Sequence, residues 1–309
     1  MTLTQLKYVI AVADTGSMNE AAKRLFVAQP SLSQSLKELE NEIGITIFLR
    51  NNRGVVLTEE GTEFLGYARQ VAEQYELMES RYIEKKNVKK KFAVSMQHYT
   101  FAVNAFIEMV KQFGMDEYEF AVRETKTYEV IEDVRDFRSE IGILYVNEFN
   151  RNVLMKLFKE LELEFHPLMD CGIYVYMWKG HPLAERQEIS LEELEEYPCL
   201  SFEQGNYNSF YFAEEVLSTY AYKRLIKAND RATLLNLMVG LNGYTLCSGI
   251  ICESLNGSEY CAVRLRSEET MTIGYLKRRG VTLSSLGQKY LEEIEKFKAM
   301  DKQERLDIG

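Results

Sequence analysis

A group of short polar side chains at the start of one helix is the feature of this sequence that most directly suggests chemistry. In the stretch SMNEAAKRLFVAQPSLSQSLKELENEIG, residues 17–44, the apolar residues Leu32, Leu36, Leu39 and Ile43 recur at helical spacing and predict one buried face. Pro30 suits the first turn of that helix, where a missing N–H costs nothing. Short hydroxyl and amide groups at a helix N-terminus can reach base edges and phosphates in a DNA groove. The residues predicted to do so are Gln29, Pro30, Ser31, Ser33, Gln34 and Lys37.

Two shorter helices must position this one. Thr2 and Gln5 match a capping box at the start of the first helix, and Ser17 with Glu20 matches one at the start of the second. Two helices joined by so short a break are typical of a helix-turn-helix, whose second helix enters the major groove by its N-terminal residues. On these residues alone, three amphipathic helices with a solvated polar face remain an equal alternative.

The segment after the third helix predicts a small β-hairpin, or wing. Ile45, Ile47 and Leu49 alternate before a turn-rich stretch, and residues 55–57 form the returning strand. Arg50 and Arg53 belong to this hairpin, beside the predicted recognition helix. Two arginines in that place could bind the DNA backbone, and this favours the helix-turn-helix over the alternative.

A long helix over residues 58–86 is predicted next, with Thr58 as its N-cap. Its 29 residues would span about 43 Å at about 1.5 Å per residue. Apolar residues recur in it with a heptad-like spacing, which predicts a seam for dimerisation. Packing on its own domain is the alternative, and it is disfavoured because the preceding helices are short. The seam residues are Phe64, Ala68, Val71, Tyr75, Met78 and Tyr82.

Residues 1 to about 66 resemble the DNA-binding part of the LysR-type transcriptional regulators. Tyr8, Ala28 and Gln34 depart from the family pattern, and Gln34 replaces a frequent Arg, which could alter base preference. The resemblance implies a regulator that binds promoter operators as a homodimer or homotetramer and has a two-lobed effector domain similar to periplasmic solute-binding proteins. It is carried by Gly16, Ser17, Ala21, Ala22, Leu25, Gln29, Pro30, Leu32, Ser33, Leu39, Glu40, Gly44, Phe48, Arg50, Arg53, Gly54, Leu57, Thr58 and Gly61.

The rest of the chain alternates strand and helix patterns, which is typical of βα units. The fold class is therefore α/β, preceded by a mainly α-helical winged helix-turn-helix. We expect the DNA-binding domain at 1–58, the dimerisation helix and hinge at 59–91, and the effector-binding domain at 92–309. Lobe I would cover about 92–167 and 268–300, and lobe II about 168–267. Short helices are also expected at 190–197 and from about Ser209.

Polar residues that follow these strands are the candidates for effector binding, because ligands of parallel sheets bind beyond the carboxyl ends of the strands. The resemblance adds that a hydroxyl residue after the first strand often holds the effector. It implies this role for Thr100, with Ser201 as its counterpart across the cleft. Thr100 as a simple helix cap and Glu203 as a solvated side chain are the alternatives. The candidates are Ser95, Gln97, Thr100, Thr125, Thr127, Asn147, Ser201, Glu203 and Ser248.

Composition limits the other functions. The net charge is −10, yet residues 1–58 carry six Lys/Arg against five Asp/Glu, so the negative charge belongs to the rest of the chain and the N-terminal part is not excluded from DNA. Five scattered cysteines and three histidines predict no metal site, disulfide framework or cofactor. There is no secretion signal or membrane span, so a cytoplasmic location is expected.

The leading interpretation is a DNA-binding transcription regulator, not an enzyme, whose activity a small-molecule effector sets. No GxSxG, P-loop or HExxH motif is present. The alternatives are a solute-binding module, which would need a secretion signal, and a redox-sensing regulator. Cys199 falls where peroxide-sensing relatives keep a reactive cysteine, but Asn208 stands where their second cysteine would be.

Overall fold

The computed structural model describes residues 1–51, 54–82, 89–113 and 117–298, which fall into two compact units, Met1–Lys90 and Lys91–Gly309. Among these residues no helix is both long and apolar enough to cross a membrane. The first unit follows the predicted order of helices and hairpin. Its elements are α1 (Leu3–Thr15), α2 (Met18–Arg24), α3 (Gln29–Ile43), β1 (Phe48–Asn51), β2 (Gly54–Leu57) and α4 (Glu59–Tyr82).

Side-chain caps and a leucine stripe fix the first three helices, as expected. Thr2 and Gln5 form the full capping box of α1, and the Ser17 hydroxyl accepts a hydrogen bond from the Glu20 N–H at the start of α2. The predicted stripe of α3 is buried, and Leu32, Leu36 and Leu39 join one apolar core with α1 and α2. The opposite face of α3 is thereby turned outward.

The hairpin is joined to α3 and α4 through its backbone. The Glu40 carboxylate accepts hydrogen bonds from the N–H groups of Ile47 and Phe48, at 2.7 and 3.1 Å. Thr58 caps α4 by accepting from the Gly61 N–H at 2.8 Å. A Cβ on Gly61 would collide with the carbonyl oxygen of Ile47, so only glycine allows this close approach.

Helix α4 differs from the prediction in which of its apolar side chains are exposed. Ala68 is buried within its own chain, and Phe64 packs against the core of the first unit, because the N-terminal half of α4 lies against α1. Val71 and Met78 are about half exposed, and so is Tyr67, which the pattern did not include. The exposed apolar stripe is therefore Tyr67, Val71 and Met78, of which the prediction included the last two. Residues 83–86 of the predicted helix lie outside the described residues, as does the side chain of Tyr82.

The second unit begins with a mixed sheet. Its strands follow the order β4-β3-β5-β13-β6, with β3 parallel to β5 and β13 antiparallel to β5 and β6. Strand β13 thus returns late in the chain to the first lobe, as predicted. The elements are β3 (Lys90–Met96), α5 (Thr100–Lys111), β4 (Tyr118–Glu124), α6 (Thr127–Arg135), β5 (Ile141–Val146), α7 (Arg151–Glu160), β6 (Leu163–Gly172), β13 (Thr270–Arg278) and α10 (Ser285–Lys298).

The second lobe contains a four-stranded sheet, β11-β7-β12-β8, and a parallel pair, β9 and β10. Strand β7 is antiparallel to both its neighbours, so the expectation of regular parallel units holds only in part. The elements are β7 (Tyr174–Trp178), β8 (Glu188–Ile189), β9 (Cys199–Phe202), β10 (Leu225–Ala228), α8 (Arg231–Leu241), β11 (Thr245–Cys247), α9 (Glu253–Asn256) and β12 (Tyr260–Leu265).

Three local expectations were wrong. The lobe boundary at 167/168 falls inside β6, which continues to Gly172 while pairing with β13. Residues 190–197 form turns rather than a helix, and the Glu193 carboxylate accepts from the Ser190 N–H there. The helix from Ser209 is only a single 3-10 turn, Phe210–Phe212, because tertiary contacts of its aromatic side chains override local propensity.

Candidate functional site

The N-terminal half of α3 presents the polar surface that the sequence predicted. Pro30, Ser31, Gln34 and Lys37 are exposed, whereas Gln29 and Ser33 are half-buried. The Gln34 amide nitrogen donates a hydrogen bond to the Glu38 carboxylate at 2.8 Å. The surface therefore offers amide, hydroxyl and ammonium groups on one helix face, all short enough to enter a groove.

The wing can be assessed only in part. Strands β1 and β2 pair antiparallel, with Phe48 opposite Leu57, so the predicted hairpin is confirmed. Arg50 belongs to β1, although its side chain lies outside the described part of the chain. Arg53, in the turn, also lies outside the described residues.

Phe26, in the turn between α2 and α3, is a feature that the sequence reasoning missed. Its side chain is 96% exposed, and its backbone adopts the left-handed conformation, with φ at +55°. A non-glycine residue adopts that conformation at a cost in free energy. Because the ring is exposed, burial of apolar surface does not offset this cost. The signal in the sequence was an aromatic residue in a short turn where a polar one would suffice.

The second unit contains a partly open cleft that residues from several of its strands and helices line. Gln97, Thr100 and Ser248, of the nine predicted effector residues, line it. They reach it from the end of β3, the start of α5 and the end of β11. The convergence of strand ends and a helix N-terminus is the geometry on which the expectation rested.

Thr100 is buried at the first residue of α5, while Tyr99 holds the N-cap position without a side-chain cap bond. The alternative of a simple helix cap is therefore wrong for Thr100. Its hydroxyl hydrogen-bonds the Cys252 thiol, whose pKa burial raises to about 11. Ser201 lines a separate pocket beside Tyr222 and Lys227, so Thr100 and Ser201 do not face each other across one cleft.

The other predicted residues have structural partners outside the cleft lining. Ser95 is buried, and its hydroxyl hydrogen-bonds the Asp133 carboxylate and the Ser139 hydroxyl. Asn147 exchanges hydrogen bonds with Asn150 at the start of α7. In both cases other residues of the protein take up the hydrogen-bonding groups of the side chain.

Thr125, Thr127 and Glu203 are also outside the lining. Thr127 accepts a 2.6 Å hydrogen bond from the Gln97 amide, so it supports a cleft residue from behind. Thr125 bonds the Glu129 carboxylate, and Glu203 is exposed to solvent. The solvated alternative for Glu203 is thus the correct one.

The cleft contains a charged cluster that the sequence did not reveal. His98 stacks on Phe202 with ring centroids 3.6 Å apart, and its Nδ1 lies 2.7 Å from the Glu214 carboxylate. The Gln204 amide donates to the other oxygen of Glu214 at 3.0 Å. Glu215, next in the chain, accepts from the Phe202 N–H at 2.9 Å. Acidic residues are common in this chain, and the sequence does not indicate that these two line the cleft.

Contacts between the lobes position this cluster. The Tyr145 hydroxyl donates to the carbonyl oxygens of Ala213 and Glu215, at 3.1 and 3.2 Å. Tyr207 stacks on Tyr128, with ring centroids 3.5 Å apart. The segment between β9 and β10, which belongs to the second lobe, is therefore bonded to the first.

The cysteines give no support to redox sensing. None of the five forms a disulfide in the described structure, and burial raises the pKa of the Cys199 thiol to about 12. A thiol that stays protonated is a poor nucleophile. Among the described residues no group of His, Cys, Asp and Glu is arranged to hold a metal ion.

A winged helix-turn-helix followed by a two-lobed α/β unit with a cleft is the architecture of ligand-responsive DNA-binding regulators. Residues 3–62 match the family model described as "Bacterial regulatory helix-turn-helix protein, lysR family", and residues 100–297 match the "LysR substrate binding domain". The chain therefore belongs to the LysR family of transcriptional regulators, with a DNA-binding and an effector-binding domain.

Individual relatives agree with this assignment. The HTH-type transcriptional regulator AlsR of Bacillus subtilis (strain 168) is 27% identical over 215 residues, covering 68% of this chain and 67% of AlsR. The uncharacterized HTH-type transcriptional regulator YbhD of Escherichia coli (strain K12) is 24% identical over 295 residues, covering 93% and 89%. A full-length OxyR variant from Pseudomonas aeruginosa, 20% identical, matches with a TM-score of 0.59 over 96% of this chain and 94% of that chain, a likeness of fold alone.

Proposed function

We propose that this regulator recognises a promoter operator through the N-terminal face of α3, with the wing binding the DNA backbone. The observation that carries the proposal is the exposed polar face of α3 above the buried stripe of Leu32, Leu36 and Leu39. The reading residues would be Gln29, Pro30, Ser31, Ser33, Gln34 and Lys37, with Arg50 and Arg53 on the backbone. A protein that acts on promoter DNA works in the bacterial cytoplasm.

The effector would bind in the cleft of the second unit, where Gln97, Thr100 and Ser248 form part of the wall. Domain limits of 1–58, 59–91 and 92–309 assign α4 to self-association. The exposed apolar stripe, which includes Val71 and Met78, supports a homodimer, and pairs of such dimers would give a homotetramer. The relatives are transcriptional regulators, and we assign this chain no catalytic activity.

The first prediction separates base reading from backbone binding. Gln34→Ala should remove a pairing to one base and relax preference at one position of each half-site, at a cost of about 1–3 kcal/mol there. Arg53→Ala should weaken binding to all sequences alike and lower the salt slope by about one unit per subunit. The measurement is binding to single-base operator variants at several salt concentrations.

Asn41→Ala is the matched control for Gln34→Ala. Asn41 is another exposed amide on α3, two turns further along, about 10 Å from Gln34 along the axis. It should leave both affinity and base preference unchanged. If none of the three variants affects DNA binding, the proposed interface is wrong. If Arg53→Ala changes the preferred base while Gln34→Ala weakens all sequences equally, the two roles are reversed.

A further inference from the structure

Two neighbouring carboxylates lie in the wall of the effector cleft, and their neighbours satisfy them unequally. Glu214 and Glu215 are each only 8% exposed. The oxygens of Glu214 accept hydrogen bonds from His98 and Gln204. Glu215 accepts a hydrogen bond at Oε1 from the N–H of Phe202, and its own backbone N–H also stabilises the charged carboxylate, but among the described residues no side chain donates to it. A buried carboxylate bound only by backbone groups favours a ligand that brings a donor or a positive charge.

The cationic side chain in the same wall is already neutralised. Arg231 lines the cleft, but its guanidinium binds the Glu124 carboxylate through both Nε and Nη2, at 3.4 and 2.5 Å. Asp230 caps the helix that begins at Arg231, by accepting from the Thr233 N–H at 2.9 Å. The helix N-terminus there is therefore also satisfied. Arg231 is therefore not available to an anionic ligand, and the two carboxyl groups remain the acidic groups of the wall.

A second, independent feature points to a ligand. Thr245 lines the cleft, is 7% exposed, and its hydroxyl has no hydrogen-bond partner within the described part of the chain. A buried hydroxyl without a partner costs about 1–3 kcal/mol by protein mutational measures. An effector that hydrogen-bonds Thr245 would recover this free energy on binding.

The remaining wall is suited to an apolar body rather than to a small polar solute. Leu234, Leu246, Ile250 and Met271 contribute aliphatic surface, and Tyr176 contributes an aromatic ring. Aromatic faces also attract cations, and the stacked Phe202 ring lies in the same wall. Apolar surface beside buried negative charge is the combination that organic cations fit.

We propose that the effector of this regulator is a small organic cation, an amine or quaternary ammonium compound with an apolar body, bound through Glu215 and hydrogen-bonded to Thr245. The proposal rests on the sensor function proposed for the cleft and specifies its ligand. An anionic effector would have to place a negative charge beside Glu214 and Glu215 with Arg231 already paired.

Binding of a cation should be coupled to proton release. Burial and the neighbouring Glu214 raise the pKa of Glu215 to about 8, so a cation takes the place of a proton below that pH. The affinity for a permanent cation should then rise by up to tenfold per pH unit towards pH 8 and level off above it. The titratable or charged groups that interact with Glu215 are Glu214, Tyr99, Tyr145, Cys199, Tyr222 and Lys227.

The test uses the purified full chain and matched small molecules. Each amine is compared with the alcohol and the carboxylate of similar skeleton, for example phenethylamine with phenethyl alcohol and phenylacetate, and choline with its uncharged tert-butyl analogue. Thermal shift finds binders, since a ligand that binds only the folded state stabilises it, and calorimetry at pH 6, 7 and 8 gives affinities. We expect at least one cation to bind and its uncharged and anionic partners to fail.

Variants assign the binding to the cleft. Glu215→Gln should weaken cation binding at least tenfold and remove its pH dependence, and Thr245→Val should weaken it severalfold. Glu185→Gln, which removes the same charge from an exposed position, should change neither the affinity for the cation nor its pH dependence. An unchanged cation affinity in Glu215→Gln, or binding by carboxylates alone, would overturn the proposal, as would a panel without any cationic binder.

Operator binding measured in the same preparations separates this proposal from the proposed function. If carboxylates bind and change operator affinity, the sensor function stands and only the cationic class is wrong. If no compound binds but the operator is still recognised, the cation proposal fails and the DNA-binding function stands. If the operator is not recognised, the function proposed for α3 fails, whatever the cleft binds.

Discussion

Glu215 shows how the environment of one residue changes its chemistry. A glutamate whose folded-state pKa is about 8, against 4.5 for the free group, binds more protons folded than unfolded between those values. The free energy of unfolding therefore contains a contribution that is complete below about pH 4.5 and is lost as the pH rises through about 8.

We accordingly expect wild-type stability to fall relative to Glu215→Gln between pH 5 and pH 8, by at most about 1.4 kcal/mol per pH unit. Denaturant unfolding at each pH measures the difference. Glu185→Gln, at the surface, should track the wild type. Parallel curves for wild type and Glu215→Gln would mean that the carboxyl group of Glu215 is ionised in the folded protein throughout.

Phe26 is a residue whose type does not suit its backbone conformation. Its left-handed backbone suits asparagine better than phenylalanine, and its exposed ring contributes no burial. Phe26→Asn should therefore raise the stability of the first unit by roughly 1 kcal/mol. It should also weaken operator binding, if the strained ring is kept for contact with DNA beside α3.

Thermal unfolding and operator binding of the same variant check both outcomes. Tyr8→Phe, a conservative aromatic change elsewhere in the first unit, serves as the control. A loss of stability in Phe26→Asn would contradict the strain argument, whereas unchanged operator affinity would remove Phe26 from the interface.

At the scale of elements, α4 shows two apolar stripes on one helix. Leu65, Ala68 and Ala72 are buried within the chain, and Tyr67, Val71 and Met78 are about half exposed. The helical repeat of about 100° per residue separates the two stripes around the axis. The heptad pattern predicted from the sequence combined residues of both stripes, because residues of the two stripes alternate along the chain.

Val71→Asp should weaken self-association, because it places a charge in the exposed apolar stripe and not in the core. Gln70→Asp adds the same charge about 100° away around the helix and should leave association intact. Sedimentation at micromolar concentration distinguishes the variants. A monomeric wild type would show that α4 is not the dimerisation surface.

At the scale of the whole molecule, the two units have separate apolar cores. Leu36 belongs to the core of the first unit and Ile273 to a core of the second, and both are almost fully buried. A substitution in one core should therefore destabilise one unit, since within the described ranges no buried cluster contains residues of both.

Leu36→Ala should lower the unfolding transition of the DNA-binding unit by about 2–5 kcal/mol and leave that of the effector unit in place. Ile273→Ala should do the reverse, by a similar amount. Scanning calorimetry of the full chain measures both transitions. A single transition that either variant moves as a whole would show that the units unfold together.

Local signals in the sequence were enough to predict the order and type of the elements in the first unit. Caps at Thr2 and Ser17, the leucine stripe of α3 and the turn before Gly54 are local signals, and each is read from residues close together in the chain. The strands and helices after Lys90 were mostly recognisable for the same reason, as was the return of β13 to the first lobe. The family resemblance added the arrangement of two lobes.

Which polar residues line the cleft depends on packing between distant parts of the chain. Gln97 and Thr100 line it, whereas Ser95 is bonded to Asp133 and Ser201 lines another pocket, and spacing in the sequence does not specify such partners. Glu214 and Glu215 come from a segment whose predicted helix is absent, and Glu214 meets His98 from 116 residues away in the chain. Long-range packing, which no local pattern indicates, buries both carboxyl groups, raises the pKa of Glu215 and leaves the Thr245 hydroxyl without a partner among the described residues.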